Sequence, residues 1–370
     1  MKKLSKKIYV TQPSLPDLNE FTTYLNSIWE SRQLTNNAKF HNQLEKELSD
    51  FLGVKHVSLL TSGTQALLTA LKVLNISGDV ITTPYSFVAT TNVLLWSNIN
   101  PIFVDVDPVY GNLDPLCIEK SITSKTSAIL PVHVYGNPCE VEAINKIANE
   151  HQLKVIYDAA HAFGINYKNN SILNWGDLSI LSFHATKPFN TMEGGAIISH
   201  DRETKQKIDY FKNFGFQGET KVLEYGINSK MNEMQSALGL SQLKHYTKFI
   251  LKRKNIAAKY DKALQNIPGV RTLANPKEVD NYNHSYYPIF IDKEKYGISR
   301  DQLYKKFKEF NIYTRRYFYP LITDFHIYKK LSYSKSNNFP KAKQLSEQIL
   351  CLPMYPDLEE KYIDKIIKII

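Results

Sequence analysis

LSILSFHATK at residues 178–187 and EGGAII at residues 193–198 are the stretches of this sequence that most constrain its fold. Each contains a short apolar run typical of a buried strand, and the first run leads into a polar turn that carries Lys187. A lysine that is to form an imine must lose its proton, and partial desolvation lowers its pKa. Two adjacent glycines allow the backbone to turn closely beneath a ligand. Taken alone, the segment also fits a surface lysine in a loop.

Apolar runs of the same kind recur between residues 57 and 199 and predict strands. The runs are Val57–Leu60, Val80–Thr82, Ile102–Val104, Ala128–Leu130, Val155–Tyr157, Leu178–Leu181 and Gly195–Ile198. Helical patterns lie between several of them, at residues 64–73, 87–96 and 141–151. This alternation predicts an α/β fold with a mainly parallel sheet covered on both faces.

The chain has 370 residues, more than one hydrophobic core usually supports. After about Tyr246 the pattern changes to a Lys-rich helical stretch, mixed segments and a final amphipathic pattern over residues 358–370. We therefore expect a large α/β domain with an N-terminal arm at residues 1–245 and a smaller α+β domain at residues 246–370. No repeat or low-complexity linker lies between them, so we expect the domains to pack together.

Charge and composition narrow the class of partner. The net charge is +10, which fits nucleic acid, an anionic membrane surface or an anionic substrate. The lysines are scattered and form no nucleic-acid module, so we expect no nucleic-acid partner. No run of about 18 apolar residues occurs, and no secretory apolar stretch follows the basic N-terminus, which predicts a cytoplasmic protein without a membrane partner. Three widely spaced cysteines predict neither a disulfide framework nor a bound metal.

Asp158 follows the apolar run of residues 155–157, and a carboxylate at a buried strand end needs a partner. A pyridinium nitrogen is one such partner, because the carboxylate keeps that nitrogen protonated and the ring can then stabilise a carbanion. A helix N-cap or a buried salt bridge explains the residue equally well in isolation.

Ser62, Gly63 and Thr64 form a small-residue turn between a predicted strand and a predicted helix. Free backbone N–H groups, the helix dipole and the hydroxyls suit a phosphate, although an N-cap alone would explain Ser62 or Thr64. Phe87 follows the next strand and can cover one face of a bound ring, but simple core packing explains an aromatic there as well.

Three of these elements occur along the chain in a fixed order: the turn at residues 62–64, here called the phosphate turn, then Asp158 at a strand end, then Lys187. In open α/β sheets, ligands bind at the carboxyl ends of the strands, so we expect all three at one edge of the sheet. Their combination predicts a site for pyridoxal 5′-phosphate.

The motifs together resemble the DegT/DnrJ/EryC1/StrS family of nucleotide-sugar aminotransferases, a branch of the fold-type I aspartate aminotransferase group. The resemblance covers nearly the whole chain and rests on SGT at 62–64, PYSFVAT at 84–90, DAAH at 158–161, SFHATK at 182–187, EGG at 193–195 and GINSKMNE at 226–233. It implies a fold-type I architecture, in which a seven-stranded, mainly parallel sheet forms the large domain beside a smaller α+β domain. It also implies pyridoxal 5′-phosphate as the cofactor.

The resemblance implies that Lys187 holds the cofactor as a Schiff base and carries the proton, while Asp158 pairs with the pyridine nitrogen. The other implied cofactor contacts are Ser62, Gly63, Thr64, Phe87, His161, Ser182, His184 and Asn228. His161 stands where relatives often have Gln. Asn228 would reach the phosphate from the second subunit of a homodimer, so that the active sites would be shared.

Within the family, VTQP at 10–13, LTNN at 34–37 and HATK at 184–187 look like enzymes that use glutamate to aminate dTDP-4-keto-6-deoxyglucose. The expected product is dTDP-4-amino-4,6-dideoxyglucose. A 3-keto nucleotide sugar remains an alternative substrate, and a non-catalytic regulatory protein remains an alternative function. The segment TRRYFYP at 314–320 is similar to the part of the family that closes over the sugar nucleotide. Its expected substrate residues are Arg315, Arg316 and Tyr317.

Overall fold

A computed structural model describes residues 3–273, 276, 278–330 and 338–370. Its strands are β1 (Ile8–Tyr9), β2 (His56–Leu60), β3 (Asp79–Thr82), β4 (Asn100–Phe103), β5 (Thr126–Leu130), β6 (Lys154–Asp158), β7 (Asn166–Tyr167), β8 (Asn170–Ser171), β9 (Leu178–Ser182), β10 (Gly195–Ser199), β11 (Phe216–Gln217), β12 (Lys221–Val222), β13 (Val270–Thr272), β14 (Val279–Asn281), β15 (Tyr287–Ile291), β16 (Ile312–Tyr313) and β17 (Ile349–Leu352). Its helices are α1 (Leu18–Ser31), α2 (Lys39–Leu52), α3 (Gly63–Val73), α4 (Ala89–Trp96), α5 (Pro115–Glu119), α6 (Val141–Glu150), α7 (Arg202–Phe211), α8 (Glu233–Leu264), α9 (Lys293–Tyr296), α10 (Arg300–Glu309), α11 (His326–Lys329), α12 (Pro340–Gln348) and α13 (Glu360–Ile369).

The main sheet has seven strands in the order β2-β10-β9-β6-β5-β3-β4. The pairs β3–β4, β3–β5, β5–β6 and β6–β9 are parallel, whereas β10 runs antiparallel to both β9 and β2. The predicted α/β fold with a mainly parallel seven-stranded sheet is therefore confirmed. Because β10 is reversed, its first residue, Gly195, lies beside the last residues of its neighbours, Leu60 and Ser182.

Both faces of this sheet are buried, as the continuous apolar runs predict for parallel strands. On one face Leu59, Val155 and Ile198 pack in a cluster with residues of α2, α6 and the first half of α8. On the other face Leu60 and Ile156 pack with residues of α3, α4 and α7. Successive strand residues alternate between the two clusters because side chains of a strand point to opposite faces in turn.

The C-terminal part of the chain has its own sheet, with the antiparallel order β13-β15-β17. Its cluster combines Tyr260, Ile289 and Leu350 with residues of α10 and α13. Helix α8 contributes to this cluster through its second half and to the main sheet through its first half. The predicted boundary after residue 245 thus falls within one continuous helix, and the division into two domains stays a prediction.

The beginning of the chain packs on the C-terminal part. Strand β1 pairs in parallel with β16, and Ile8 is buried in the C-terminal cluster. A third cluster joins the main sheet to the C-terminal sheet through Tyr85, Tyr135, Phe290 and Phe318. These aromatic contacts bring the segments around residues 286 and 317 to the edge where the main strands end.

Within the described ranges, no helix has the length and apolar character needed to cross a membrane. The thiols of Cys117, Cys139 and Cys351 are free, and the latter two are buried.

Candidate active site

A cavity of about 360 Å³ opens at the carboxyl ends of the main strands. Most of the residues that the sequence predicts for the site line it, namely Ser62, Gly63, Thr64, Phe87, Asp158, His161, Ser182, His184, Lys187 and Tyr317. All except Tyr317, which follows β16 in the C-terminal part, lie at the ends of β6 and β9 or in the segments that follow β2, β3, β6 and β9. Parallel strands end at one edge of a sheet, so turns far apart in the chain meet there.

Asp158 is the last residue of β6 and its side chain is only 6% exposed. Its Oδ2 accepts a hydrogen bond from the Thr90 hydroxyl at 2.8 Å, and its Oδ1 accepts one from the Ala160 N–H at 3.2 Å. Burial raises the pKa of this carboxyl, while the two hydrogen bonds and the positive charge of Lys187 oppose that rise. The site thus holds a buried acid whose ionised form is supported by two donors and a cation.

Lys187 lies in the turn after β9, and its side chain reaches the cavity. Its Nζ donates to the hydroxyl oxygen of Tyr286 at 3.4 Å. Burial lowers the pKa of the amine to about 8, although the negative charge of Asp158 acts in the opposite direction. A lysine with this pKa is available as a neutral nucleophile near physiological pH, which imine chemistry requires.

The turn of Ser62, Gly63 and Thr64, which the sequence predicts for a phosphate, lies at the start of α3. Ser62 is the N-cap of this helix, and its Oγ accepts from the Gln65 N–H at 3.2 Å. A Cβ atom on Gly63 would lie 2.9 Å from the Ser182 Cβ, so only glycine lets the helix start this close to β9. A Cβ atom on Gly195 would lie 2.5 Å from the Ser62 carbonyl carbon. Both glycines therefore serve close packing around an exposed helix N-terminus, a favourable place for an anion.

His161 is buried at the cavity wall, and burial together with the charge of Lys187 holds the pKa of its ring well below the usual value. The backbone N–H of Tyr135 donates to Nδ1 at 3.3 Å. The neutral ring therefore carries its proton on Nε2, which is the atom available as a donor. Phe318 stacks on this ring with centroids 6.1 Å apart.

Phe87 and His184 line the same cavity from its more exposed side. The Phe87 side chain is 60% exposed, so it does not serve the core packing that is the usual alternative for an aromatic residue. His184 Nδ1 lies 2.8 Å from the Thr186 hydroxyl, and its Nε2 lies 3.6 Å from a carboxylate oxygen of Glu193.

Three predicted site residues lie outside this cavity. Asn228 lines a different pocket, with Trp96 and Tyr225, and accepts a hydrogen bond from Lys230 Nζ at 2.9 Å. Arg316 pairs with Asp301 at 2.8 Å. Asn228 therefore does not line the cavity that holds Lys187, and Arg316 has a structural partner.

Arg315 lines a neighbouring cavity of about 330 Å³. Tyr9, Thr11 and Lys308 also line this second cavity, and Thr186 and Tyr317 line both cavities. The two shared residues make the cavities adjacent. An elongated ligand can therefore extend from Lys187 towards two cations.

Sequence reasoning missed Thr90, Tyr286, Phe318 and Lys308. Thr90 ends the quoted motif at residues 84–90, but nothing local indicates that its hydroxyl faces a carboxylate 68 residues later in the chain. Tyr286 precedes β15 and reads as part of an apolar run. Its aromatic ring and hydroxyl gave no signal beyond strand propensity.

Comparison with known proteins agrees with this geometry. The model of the DegT/DnrJ/EryC1/StrS aminotransferase family matches residues 17–370. A dTDP-4-amino-4,6-dideoxy-D-glucose transaminase of Escherichia coli is 49% identical over 367 residues, which cover 99% of this chain and 98% of the relative. The crystal structure of DesI in the presence of its TDP-sugar product has a TM-score of 0.95 at 29% identity and covers 100% of this chain and 93% of that one. NtdA from Bacillus subtilis with bound cofactor PMP has a TM-score of 0.85 at 28% identity, covering 95% and 82%.

Proposed function

The chain belongs to the DegT/DnrJ/EryC1/StrS aminotransferase family, and on that basis we propose that it transfers an amino group from glutamate to dTDP-4-keto-6-deoxyglucose. The product is dTDP-4-amino-4,6-dideoxyglucose. Full-length similarity, at 49% identity, to a transaminase named for this product carries the proposal. Within the molecule, support comes from one cavity that holds both a lysine of lowered pKa and a buried carboxylate.

Pyridoxal 5′-phosphate fits the chemistry of this cavity. Lys187 supplies an amine that can bond to an aldehyde, Asp158 supplies an anion for a pyridine nitrogen, and the start of α3 supplies N–H groups for a phosphate. The Ser62 and Ser182 hydroxyls lie in the same wall. When bound, this cofactor withdraws electrons from the carbon that loses or gains a proton. The bound PMP of NtdA, which shares the fold, supports the assignment.

Lys187 is the proposed acid and base of both half-reactions, in which it moves a proton at the carbon that bears the amino group. With a pKa of about 8, roughly a tenth of the amine is neutral at pH 7. A positioned acid and base of this kind contributes roughly 10²–10⁴-fold to a rate. His161 stays neutral at this pH, so it donates a hydrogen bond without adding charge.

The second cavity suits the diphosphate end of the substrate. Arg315 and Lys308 bring two positive charges to it, and the shared Tyr317 marks its junction with the cavity of Lys187. Arginine and lysine are favourable partners for phosphate oxygens. Of the two arginines at 315 and 316, we propose that Arg315 contacts the substrate, because Arg316 is already paired with Asp301.

We also propose a homodimer with shared sites, in which Asn228 serves the cofactor phosphate of the other subunit. Asn228 lines a different pocket from the one that holds Lys187 of its own chain, which supports this arrangement. Mixing Lys187→Ala chains with Asn228→Ala chains tests it. In a shared-site dimer, subunit exchange should recover about a quarter of the wild-type activity, because half of the dimers are mixed and each has one intact site. Unchanged inactivity after proven exchange would refute the shared site.

The activity itself is tested by incubating the protein with pyridoxal 5′-phosphate, glutamate and, separately, the 4-keto and 3-keto dTDP sugars. We expect a new C–N bond at carbon 4, located by NMR. Borohydride should attach the cofactor to Lys187, as read by peptide mass spectrometry, and Lys187→Ala should abolish both results. Lys154→Ala is the matched control, since that lysine is half exposed and pairs with Asp177. Amination only at carbon 3 would establish the alternative substrate, and amination by the Lys187→Ala protein would contradict the mechanism.

A further inference from the structure

The phenol of Tyr286 lies against the amine of Lys187. The Nζ atom donates to the phenolic oxygen at 3.4 Å and lies 5.7 Å from the ring centroid. A cation near a ring face is attracted by the quadrupole of the ring, and the oxygen adds an acceptor. Tyr286 therefore contacts the reactive amine in two ways, although it belongs to the C-terminal part of the chain.

The backbone around Tyr286 is held by buried hydrogen bonds. Arg253, which is 2% exposed, donates from Nη1 to the carbonyl oxygens of His284 at 3.2 Å and of Ser285 at 3.4 Å. The Ser285 hydroxyl and the Asn283 amide both donate to the carbonyl oxygen of His161, at 2.9 and 2.8 Å. The segment that carries Tyr286 is thus tied to the turn that follows Asp158.

The ring of Tyr286 is also enclosed. It meets His161 edge to face at a centroid distance of 5.0 Å and Tyr317 at 5.4 Å, and the residue is 7% exposed. Burial raises the pKa of its hydroxyl, so the phenol stays neutral at any working pH. A neutral hydroxyl can accept from an ammonium group and can donate to a free amine. It can therefore hold Lys187 in both protonation states.

We propose that Tyr286 is a positioning residue for Lys187, keeping its amine directed into the cavity whether it is charged or neutral. This inference rests on the proposed function, in which Lys187 must alternate between those two states. It brings a residue of the C-terminal part of the chain into direct contact with the amine of Lys187.

The expected effect of removing the hydroxyl follows from the two hydrogen bonds it can make. An acceptor bonded to an ammonium group is a charge-assisted contact and is stronger than a bond between neutral groups. Loss of the oxygen therefore favours the neutral amine. The midpoint of Lys187, meaning the pH at which half of its amine is protonated, falls by about half to one pH unit. The other titratable groups that line this cavity are Asp158, His161, His184, Glu193 and Tyr317, and all of them are retained.

Tyr286→Phe tests the proposal, because it keeps the ring and removes only the oxygen. Acetic anhydride labels neutral amines, so the extent of labelling at Lys187 across a pH series, read by peptide mass spectrometry on the cofactor-free full chain, reports its midpoint. We expect the lower midpoint in this variant. We also expect its visible absorbance to return several-fold more slowly when pyridoxal 5′-phosphate is added back.

Tyr287→Phe is the matched control. The Tyr287 hydroxyl donates to Asp261 at 2.6 Å, and its ring packs against Tyr260 in the C-terminal cluster. We expect this variant to keep the wild-type midpoint and the wild-type rate of cofactor return. A Tyr286→Phe protein that melts like the wild type and also has its midpoint and rate would overturn the proposal.

The cofactor chemistry of Lys187 and its contact with Tyr286 have separate readouts. If the wild-type chain gains no visible absorbance with pyridoxal 5′-phosphate and no borohydride-stable adduct at Lys187, the proposed function is wrong. The labelling midpoint needs no cofactor, and it decides the contact between Tyr286 and Lys187 in either case.

Discussion

The hydroxyl of Thr90 donates a hydrogen bond to Asp158 Oδ2 across 2.8 Å. Thr90 lies in the first turn of α4, whereas Asp158 ends β6, so the bond joins a helix that follows β3 to the end of another strand. The hydroxyl of Ser86 lies 2.9 Å from the same Thr90 hydroxyl, within hydrogen-bond distance. This contact helps an almost fully buried carboxyl to remain ionised, which is the state that a pyridinium partner needs.

Thr90→Val should weaken cofactor binding, because it removes that donor while keeping the shape of the side chain. The pKa of Asp158 should rise, so more of the carboxyl is protonated at low pH and the loss of affinity should be larger at pH 6 than at pH 8. A lost hydrogen bond to a charged group predicts about a tenfold higher Kd. Absorbance titration with pyridoxal 5′-phosphate at both pH values measures it.

Thr91→Val provides the control for that experiment. Thr91 is the next residue and is equally buried, and its hydroxyl has no hydrogen-bond partner in the described structure. Its replacement should leave the Kd unchanged. Equal weakening by both variants would show that α4, and not the Thr90 hydroxyl, is responsible.

Lys187→Met should stabilise the cofactor-free protein at neutral pH. Burial lowers the pKa of Lys187 to about 8 in the folded chain, while the unfolded chain keeps the ordinary value of 10.5. Between pH 8 and pH 10.5 the unfolded state binds more protons than the folded state, so the free energy of unfolding rises with pH. Below pH 8 the protonated amine destabilises the folded state by the full amount. Removing the amine should add about 3 kcal/mol to the free energy of unfolding at pH 7 and little above pH 10.5.

Urea denaturation at a series of pH values measures this difference. Lys154→Met, at an exposed position, should alter the free energy of unfolding by less than about 0.5 kcal/mol at every pH. If the extra free energy of unfolding of the Lys187→Met protein does not decrease as the pH rises, the pKa of Lys187 is not lowered by burial.

Gly63→Ala should damage the phosphate turn. The added Cβ would lie 2.9 Å from the Ser182 Cβ and 3.3 Å from its Cα, so the start of α3 must move away from β9. We expect a loss of about 1–3 kcal/mol in the free energy of unfolding and a cofactor Kd raised about tenfold. Gly53→Ala is the comparison, because its Cβ would meet no atom within 4 Å at a φ of +62°. The Gly53→Ala variant should lose only about 1 kcal/mol of its free energy of unfolding and bind the cofactor normally. Equal cofactor Kd values for the Gly63→Ala and Gly53→Ala proteins would show that the close approach of α3 to β9 does not affect cofactor binding.

Arg253→Met should destabilise the segment that carries Tyr286. The guanidinium donates to the carbonyl oxygens of His284, Ser285 and Met354, and its replacement leaves these buried acceptors without their donor. The expected loss is about 2–3 kcal/mol, measured by denaturant unfolding. Lys252→Met, which removes a half-exposed partner of Asp357 on the same helix, should cost less than about 1 kcal/mol. If both variants unfold alike, the buried carbonyl contacts have little energetic weight.

Much of the fold and of the first cavity was readable in advance. The apolar runs matched the seven strands because burial on both sheet faces requires continuous hydrophobic residues. Lys187, Asp158 and the turn at Ser62 were expected to share one cavity because each lies at or soon after the end of such a run, and parallel strands bring their ends together. Strand order and the reversed direction of β10 were not readable, because each depends on pairing between segments that are distant in the chain.

The amino-acid sequence by itself determined the strands, the sheet edge and the residues that stand immediately after each strand. The tertiary structure alone decided that Thr90 supports Asp158, that Tyr286 contacts Lys187 and that the second cavity is lined by Arg315 and not by Arg316. The physical reason is that a local pattern encodes which residues are buried, whereas the direction of a side chain depends on how distant elements pack. Tyr286 reaches Lys187, 99 positions earlier in the chain, only because the C-terminal sheet packs against the main one.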